Sequence, residues 1–320
     1  MKYGFIMKKS LALSFSFIGT VVGAGFATGK EILLFFGDYS FLTVPLSGFF
    51  LSVFCYAFLR VGAIFGDAFR AYGKLELPVK IFVIFANICV FCATLAGSEE
   101  VFLNLFSIKG GGIITAFLTL IIVLSGIKKI KIANFIIVPI IIIMVSFIFF
   151  KDNQYQINGK FSVVMPFCYA SMNLATGGFF IANESSSFTK RDCIVCSLIS
   201  GTILTVLMAF VFCVVKGNSS SMPFIAVSTA LGYGVIGNIV LYLAMLSTLI
   251  GTLNVASFNN KYYTIGICAI GLLIATFGFE NIVNFLYPLI GGVGGIVTVS
   301  ALILLILNPK LSHYYNRQYL

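Results

Sequence analysis

Of the 320 residues, 60% are hydrophobic and 9% are charged, with a mean hydropathy of +1.08 and a formal net charge of +10. This balance excludes a soluble globular domain and a disordered chain, and it identifies a polytopic membrane protein. The positive charge does not imply a nucleic-acid partner, because the basic residues sit in short loops between apolar runs, where membrane insertion accounts for them.

Taken in chain order, the first element is basic and then apolar, MKYGFIMKKS leading into LALSFSFIGT. A signal peptide begins in the same way, but here the apolar run continues without a small-residue cleavage site, so the stretch is expected to stay as the first membrane helix. Within it, GTVVGAGFATGKEILLFFG, Gly19 to Gly37, interrupts an apolar span with glycine and closes it with charge. Gly23, Gly25 and Gly29 weaken a helix at mid-membrane depth, where freed backbone groups need a cavity or an ion as partner. The alternative for the same glycines is close helix packing through small-xxx-small spacing.

At roughly 20 apolar residues per span, the chain reads as ten helices: 9–36, 41–64, 79–106, 110–127, 131–150, 161–187, 192–215, 235–258, 262–279 and 281–307. The polar stretch 65–78 is expected to be a short cytoplasmic helix ended by Pro78, and 217–234 an outer loop with an interfacial helix. With both termini in the cytoplasm of a plasma-membrane protein, fifteen Lys and Arg lie inside and five outside, the asymmetry that positive-inside insertion produces. All eight cysteines, including the pairs Cys89/Cys92 and Cys193/Cys196, fall in apolar segments, and His313 is the only histidine. They read as small packing residues rather than as metal or redox sites.

The sixth segment, VMPFCYASMNLATGGFFIANES, carries Ala175-Thr176-Gly177 where the first carries Ala27-Thr28-Gly29, and a second break is expected at Asn173 to Gly178. Thr94-Leu95-Ala96-Gly97 and Thr248-Leu249-Ile250-Gly251 form a further correspondence. Five helices per half place residues 1–155 and 156–320 in opposite orientations. Glycine-interrupted helices at matching positions of inverted halves point to a midplane binding site in a secondary transporter.

On these residues the chain resembles the amino acid/polyamine/organocation superfamily with the leucine-transporter-type fold, an all-α bundle of five plus five inverted helices in which helices 1 and 6 are broken. Gly19 to Gly25 resembles the first-helix signature of amino-acid permeases, and Gly23 to Gly37 is similar to the YkvI-like group of small bacterial membrane proteins. The resemblance implies a sodium ion held by the carbonyls of Gly19, Val22 and Ala244 and by the hydroxyls of Ser247 and Thr248. Such neutral oxygens suit a hard monovalent cation; the alternative is that the hydroxyls bond back to the preceding turn. Proton-coupled relatives often place a lysine of the fifth helix there instead. Lys128, Lys129 and Lys131 cluster at that helix's cytoplasmic start beside an apolar run, which favours sodium, although Lys131 is within reach of the interior.

The organic solute is expected between the two breaks, at the amides of Gly23, Ala24, Gly25 and Phe26 and of Ala175, Thr176 and Gly177, where half-helix N-termini favour an anionic group. Phe26 and Phe179 are candidate lids, and Thr94, Gly97 and Asn173 candidate wall residues. Membrane-embedded charge is scarce and therefore informative. The resemblance makes Lys30 with Glu280 a candidate outer gate, and Lys30 with Glu31 or Glu99 is the alternative pairing; Glu100 and Glu184 read as solvated ends. If Glu31 or Glu99 lines the cavity, a cationic or zwitterionic amine is preferred over a simple acid.

The expectation is a cation-coupled secondary transporter of a small zwitterionic or amine solute such as an amino acid, working by alternating access, with sodium as coupling ion. No enzyme activity, other cofactor or transition metal is expected. A membrane ligand sensor with the same pocket but no flux is the second reading, and a channel the third.

Overall fold

The computed structural model describes the backbone of residues 2–152, 155–258, 260–276 and 279–307, and the side chains within these stretches from 9 to 276 and from 290 to 306. The Glu280 side chain, the candidate gate partner of Lys30, lies outside the described residues.

The first predicted span is three helices: α1 (Lys2–Val21), α2 (Ala24–Ala27) and α3 (Lys30–Phe36). Glycine sets both interruptions. Gly23 is extended (φ −97°, ψ −165°), and Gly29 adopts φ +78°, a region that side chains with a Cβ rarely enter. The chain continues through α4 (Thr43–Phe65), a 3-10 turn over Arg70–Leu75, α5 (Glu76–Phe106), α6 (Gly111–Leu124), α7 (Ile127–Lys151) and α8 (Val164–Glu184). It ends with α9 (Lys190–Val215), α10 (Pro223–Ala230), α11 (Gly234–Ser257), α12 (Lys261–Ala275) and α13 (Phe279–Leu307). The 3-10 turn stands where a short helix was expected after the second span, and α10 is the short helix expected in the loop 217–234.

Six helices among the described residues are long and apolar enough to cross a bilayer. At 14 and 15 residues, α6 and α12 are shorter than the about 20 expected of a span. For α6 the cause is local, because Gly110 and Gly126 bound it with φ of +96° and +90°.

The packing repeats between the halves of the chain. α1 lies against α7 and α9 as α8 lies against α13 and α4, while α5 meets α13 as α11 meets α7. This is the pattern that exchanging helices 1 to 5 with helices 6 to 10 requires. α8 and α11 are central, each with 78% of its apolar window inside the protein, against 33% for α7.

One expectation is corrected. α8 runs unbroken from Val164 to Glu184, so Asn173 to Gly178 is helix. Its glycines serve packing. A Cβ on Gly177 would stand 2.7 Å from Thr20 Oγ1, and one on Gly178 would stand 2.9 Å from the Phe58 ring. Asn173 Nδ2 and Thr176 Oγ1 donate to the carbonyls of Tyr169 (3.0 Å) and Asn173 (3.1 Å), bonds that fit an intact helix. The packing reading therefore holds in α8, and the break reading holds between α1 and α3.

Candidate solute and cation site

The break after α1 decides which backbone groups are available. The Gly23 N–H turns to the Val21 carbonyl at 2.9 Å instead of reaching back to Gly19. The Gly19 carbonyl accepts from Thr248 Oγ1 of α11 at 3.1 Å, and the Thr20 carbonyl lies 3.4 Å from the same oxygen. The amides of Ala24, Gly25 and Phe26 have no backbone acceptor among the described residues. Those of Ala175, Thr176 and Gly177, expected to be exposed, lie inside the turns of α8 instead.

Three glycines allow α1 and α11 to approach this closely. A Cβ on Gly19 would stand 2.0 Å from Ser247 Oγ, one on Gly23 2.9 Å from Thr248 Oγ1, and one on Gly251 2.0 Å from Thr20 Cγ2. The glycines at the break thus serve close packing as well as unwinding.

Ser247 Oγ donates to Asn134 Oδ1 of α7 at 2.7 Å, both residues being fully buried. Ser247 and Thr248 therefore bond across helices rather than back along their own; it is Thr252 that bonds back, to the Thr248 carbonyl at 2.8 Å. Of the expected ion ligands, Gly19, Ser247 and Thr248 come together. Val22 lies in the unwound stretch, and Ala244 is buried one turn before Thr248. Carbonyl and hydroxyl oxygens in this grouping fit sodium better than a thiolate-seeking metal.

Asn134 was not singled out from the sequence, where its signal is one amide inside the apolar run IANFIIVPIII. Lys131, the residue read as within reach of the interior, turns instead to Glu184 at the end of α8, with Nζ 2.6 Å from Oε2. Glu184, read as a solvated end, is thus paired. A bridge between two partly exposed side chains contributes roughly 1 kcal/mol or less. The expected result for Glu184→Gln is a drop in melting temperature of a few degrees at most, with an unchanged response to sodium; thermal unfolding in sodium and choline chloride measures both.

Beside these residues lies a cavity of about 20 Å³, room for one water-sized group. The break contributes Thr20, Val21 and Gly23, and α3 contributes Glu31. Across from them stand Val90 of α5, Met172, Asn173 and Thr176 of α8, Thr248 of α11 and Ile290 of α13. Of the residues expected to touch a solute, Gly23, Asn173 and Thr176 line this cavity.

Several others are placed differently. Thr94 and Gly97 are buried one and two turns further along α5 than Val90, which forms the wall. Phe26 is buried in α2 and does not line the cavity. Phe179 points elsewhere, stacking on Phe69 of the 66–75 connection (4.4 Å between centroids, 14°) and meeting Phe58 edge-on at 5.2 Å. It fastens that connection to α8 and does not line this cavity.

Two acidic candidates separate clearly. Glu99 accepts from the amides of Gly110 (2.7 Å) and Gly112 (2.8 Å), capping the start of α6. Glu31 is 4% exposed, lies against Tyr169 and Asn173, and its Oε1 has no hydrogen-bond partner among the described residues. Lys30 does not line the cavity. On one side of the break, the Phe224 N–H of α10 closes onto the Thr28 carbonyl at 2.9 Å.

An all-α bundle of apolar helices, with an interrupted first helix and a small polar cavity at the interruption, defines a multi-pass membrane protein of the leucine-transporter-type fold. No protein-family model matches the chain. The chain is similar to the uncharacterized membrane protein YkvI of Bacillus subtilis (strain 168), 25% identical over 87% of this chain and 91% of that one. Among solved structures, the nucleobase-cation-symport-1 family transporter Mhp1, closed with bromovinylhydantoin bound, shares the fold with a TM-score of 0.66 at 12% identity, over 88% of this chain and 74% of its own. A manganese transporter of Eremococcus coleocola does so at 0.60 and 15% identity, over 98% of this chain and 75% of that one. The similarity to YkvI read from Gly23 to Gly37 therefore extends along most of the chain, and the fold it implied is the fold found, except that α8 is unbroken.

Proposed function

We propose that the protein is a cation-coupled secondary transporter of a small zwitterionic or amine solute, working by alternating access. The observation that carries this reading is the position of the α1 break. The last turn of α1 and the unwound residues after it meet Ser247 and Thr248 on α11 and, through Thr20 and Gly23, border the cavity that Glu31 enters. In this reading sodium is held by the carbonyls of Gly19, Val22 and Ala244 and the hydroxyls of Ser247 and Thr248, with Asn134 orienting Ser247. The ion supplies positive charge at the break. The chain's own residues hold the solute between α1, α3, α8 and α11.

A site shared between the break and α11 ties the two bound species to the same backbone, so each should change the affinity of the other by an equal factor. The fold neighbours Mhp1 and the manganese transporter support a transport role by analogy of fold alone. The test is a thermal-shift screen of amino acids and amines, in sodium and in choline chloride. At least one ligand is expected to raise the melting temperature, and to do so at lower concentration when sodium is present. A screen in which neither sodium nor any of these ligands moves the transition argues against the reading.

A further inference from the structure

Within the transporter reading, on which this step rests, we propose that the cargo is a small alkylammonium cation, held by the Glu31 carboxylate inside a shell of hydrogen-bond acceptors. Most donors of the cavity's polar side chains are already committed. The hydroxyls of Thr20, Thr176 and Thr248 donate to the carbonyls of Phe17 (2.7 Å), Asn173 (3.1 Å) and Gly19 (3.1 Å), and Asn173 Nδ2 donates to the Tyr169 carbonyl (3.0 Å). What the three hydroxyls still offer a guest is lone pairs, while the second N–H of Asn173, like the Tyr169 hydroxyl, faces Glu31. Glu31 adds acceptor oxygens, one of them without a partner, and no described residue forms a salt bridge with it.

The complement of such a lining is a group that only donates. An ammonium head has three N–H donors and no acceptor, and it is close to water in size, which suits a cavity of about 20 Å³. A carboxylate would face the Glu31 carboxylate and the lone pairs of three threonines. A divalent metal would meet a single carboxylate, whereas hard divalent ions gather several oxygen ligands. Val90, Met172 and Ile290 complete the wall with apolar surface, which suits the carbon end of an alkylammonium and offers a hydrated ion nothing.

The experiment uses the full-length protein in detergent with sodium chloride present, following thermal unfolding against methylammonium, acetate and manganese(II). The expected result is stabilisation by methylammonium and by neither of the others. Glu31→Gln, nearly the same shape, should weaken the methylammonium response by roughly 10- to 100-fold, the range for losing a hydrogen bond between charged groups. Stabilisation by acetate or manganese but not methylammonium overturns the proposal, as does equal methylammonium affinity in wild type and Glu31→Gln. The comparison of probes on the wild type decides the matter even if the variant does not fold. Failure of methylammonium with the sodium response intact overturns only this inference. Tight methylammonium binding without flux in proteoliposomes upholds this inference and overturns the transporter reading.

Discussion

Replacing Thr248 with valine is expected to remove most of the sodium-induced rise in melting temperature, weakening sodium by roughly 10- to 100-fold. Valine keeps the shape of threonine but lacks the hydroxyl that spans from α11 to the Gly19 carbonyl at 3.1 Å. The loss acts twice. An ion between the helices loses a ligand, and the Gly19 carbonyl, which the Gly23 turn leaves without its helical amide, loses its partner in a buried place, at a cost of about 1–3 kcal/mol. Ser247→Ala should act in the same direction and free Asn134 Oδ1 from its 2.7 Å bond. Melting curves in sodium and choline chloride measure the effect. An unchanged sodium response in both variants removes the proposed ligands.

The second large effect is expected at Gly251. A Cβ there would stand 2.0 Å from Thr20 Cγ2, on a residue that is itself part of the break, so Gly251→Ala must push α11 away from α1. Overpacking of this kind typically costs about 1–3 kcal/mol. Here it also separates Thr248 from Gly19, three residues and one turn away, so sodium stabilisation should fall together with the melting temperature. Gly266→Ala on α12 is the control, since nothing lies within 4 Å of its added Cβ. There, replacing glycine in a helix interior should stabilise by about 0.5–1 kcal/mol. Opposite shifts of the two melting temperatures are the expected result; a Gly251→Ala protein as stable as wild type contradicts the close contact of α1 and α11.

The limits of reading the sequence follow from the same contacts. The spans were legible because apolar length reports membrane crossing directly, and the α1 break because Gly23, Gly25 and Gly29 lead into Lys30 and Glu31, charges that a continuous lipid-facing helix would not place there. The supposed break in α8 was not legible. Gly177 and Gly178 are the same residue type used in the opposite sense, and only their neighbours Thr20 and Phe58, distant in sequence, tell the two apart. Glu31 and Glu99 looked alike for a related reason. Glu99 faces the start of α6 because the chain folds back through residues 107–110, a tertiary event that composition does not encode. Asn134 escaped notice as one amide among isoleucines, although a polar side chain buried in a membrane helix needs a partner and thereby marks a contact.

The central claim is that residues around the α1 break carry a solute across the membrane, coupled to a cation gradient. The direct measurement is counterflow in proteoliposomes, using the labelled form of the amino acid or amine that raises the melting temperature most. The account predicts saturable accumulation driven by an inward sodium gradient and accelerated by unlabelled ligand on the far side. Binding without flux would instead make the protein a sensor, and flux that neither saturates nor follows the gradient would make it a channel; either result contradicts the account.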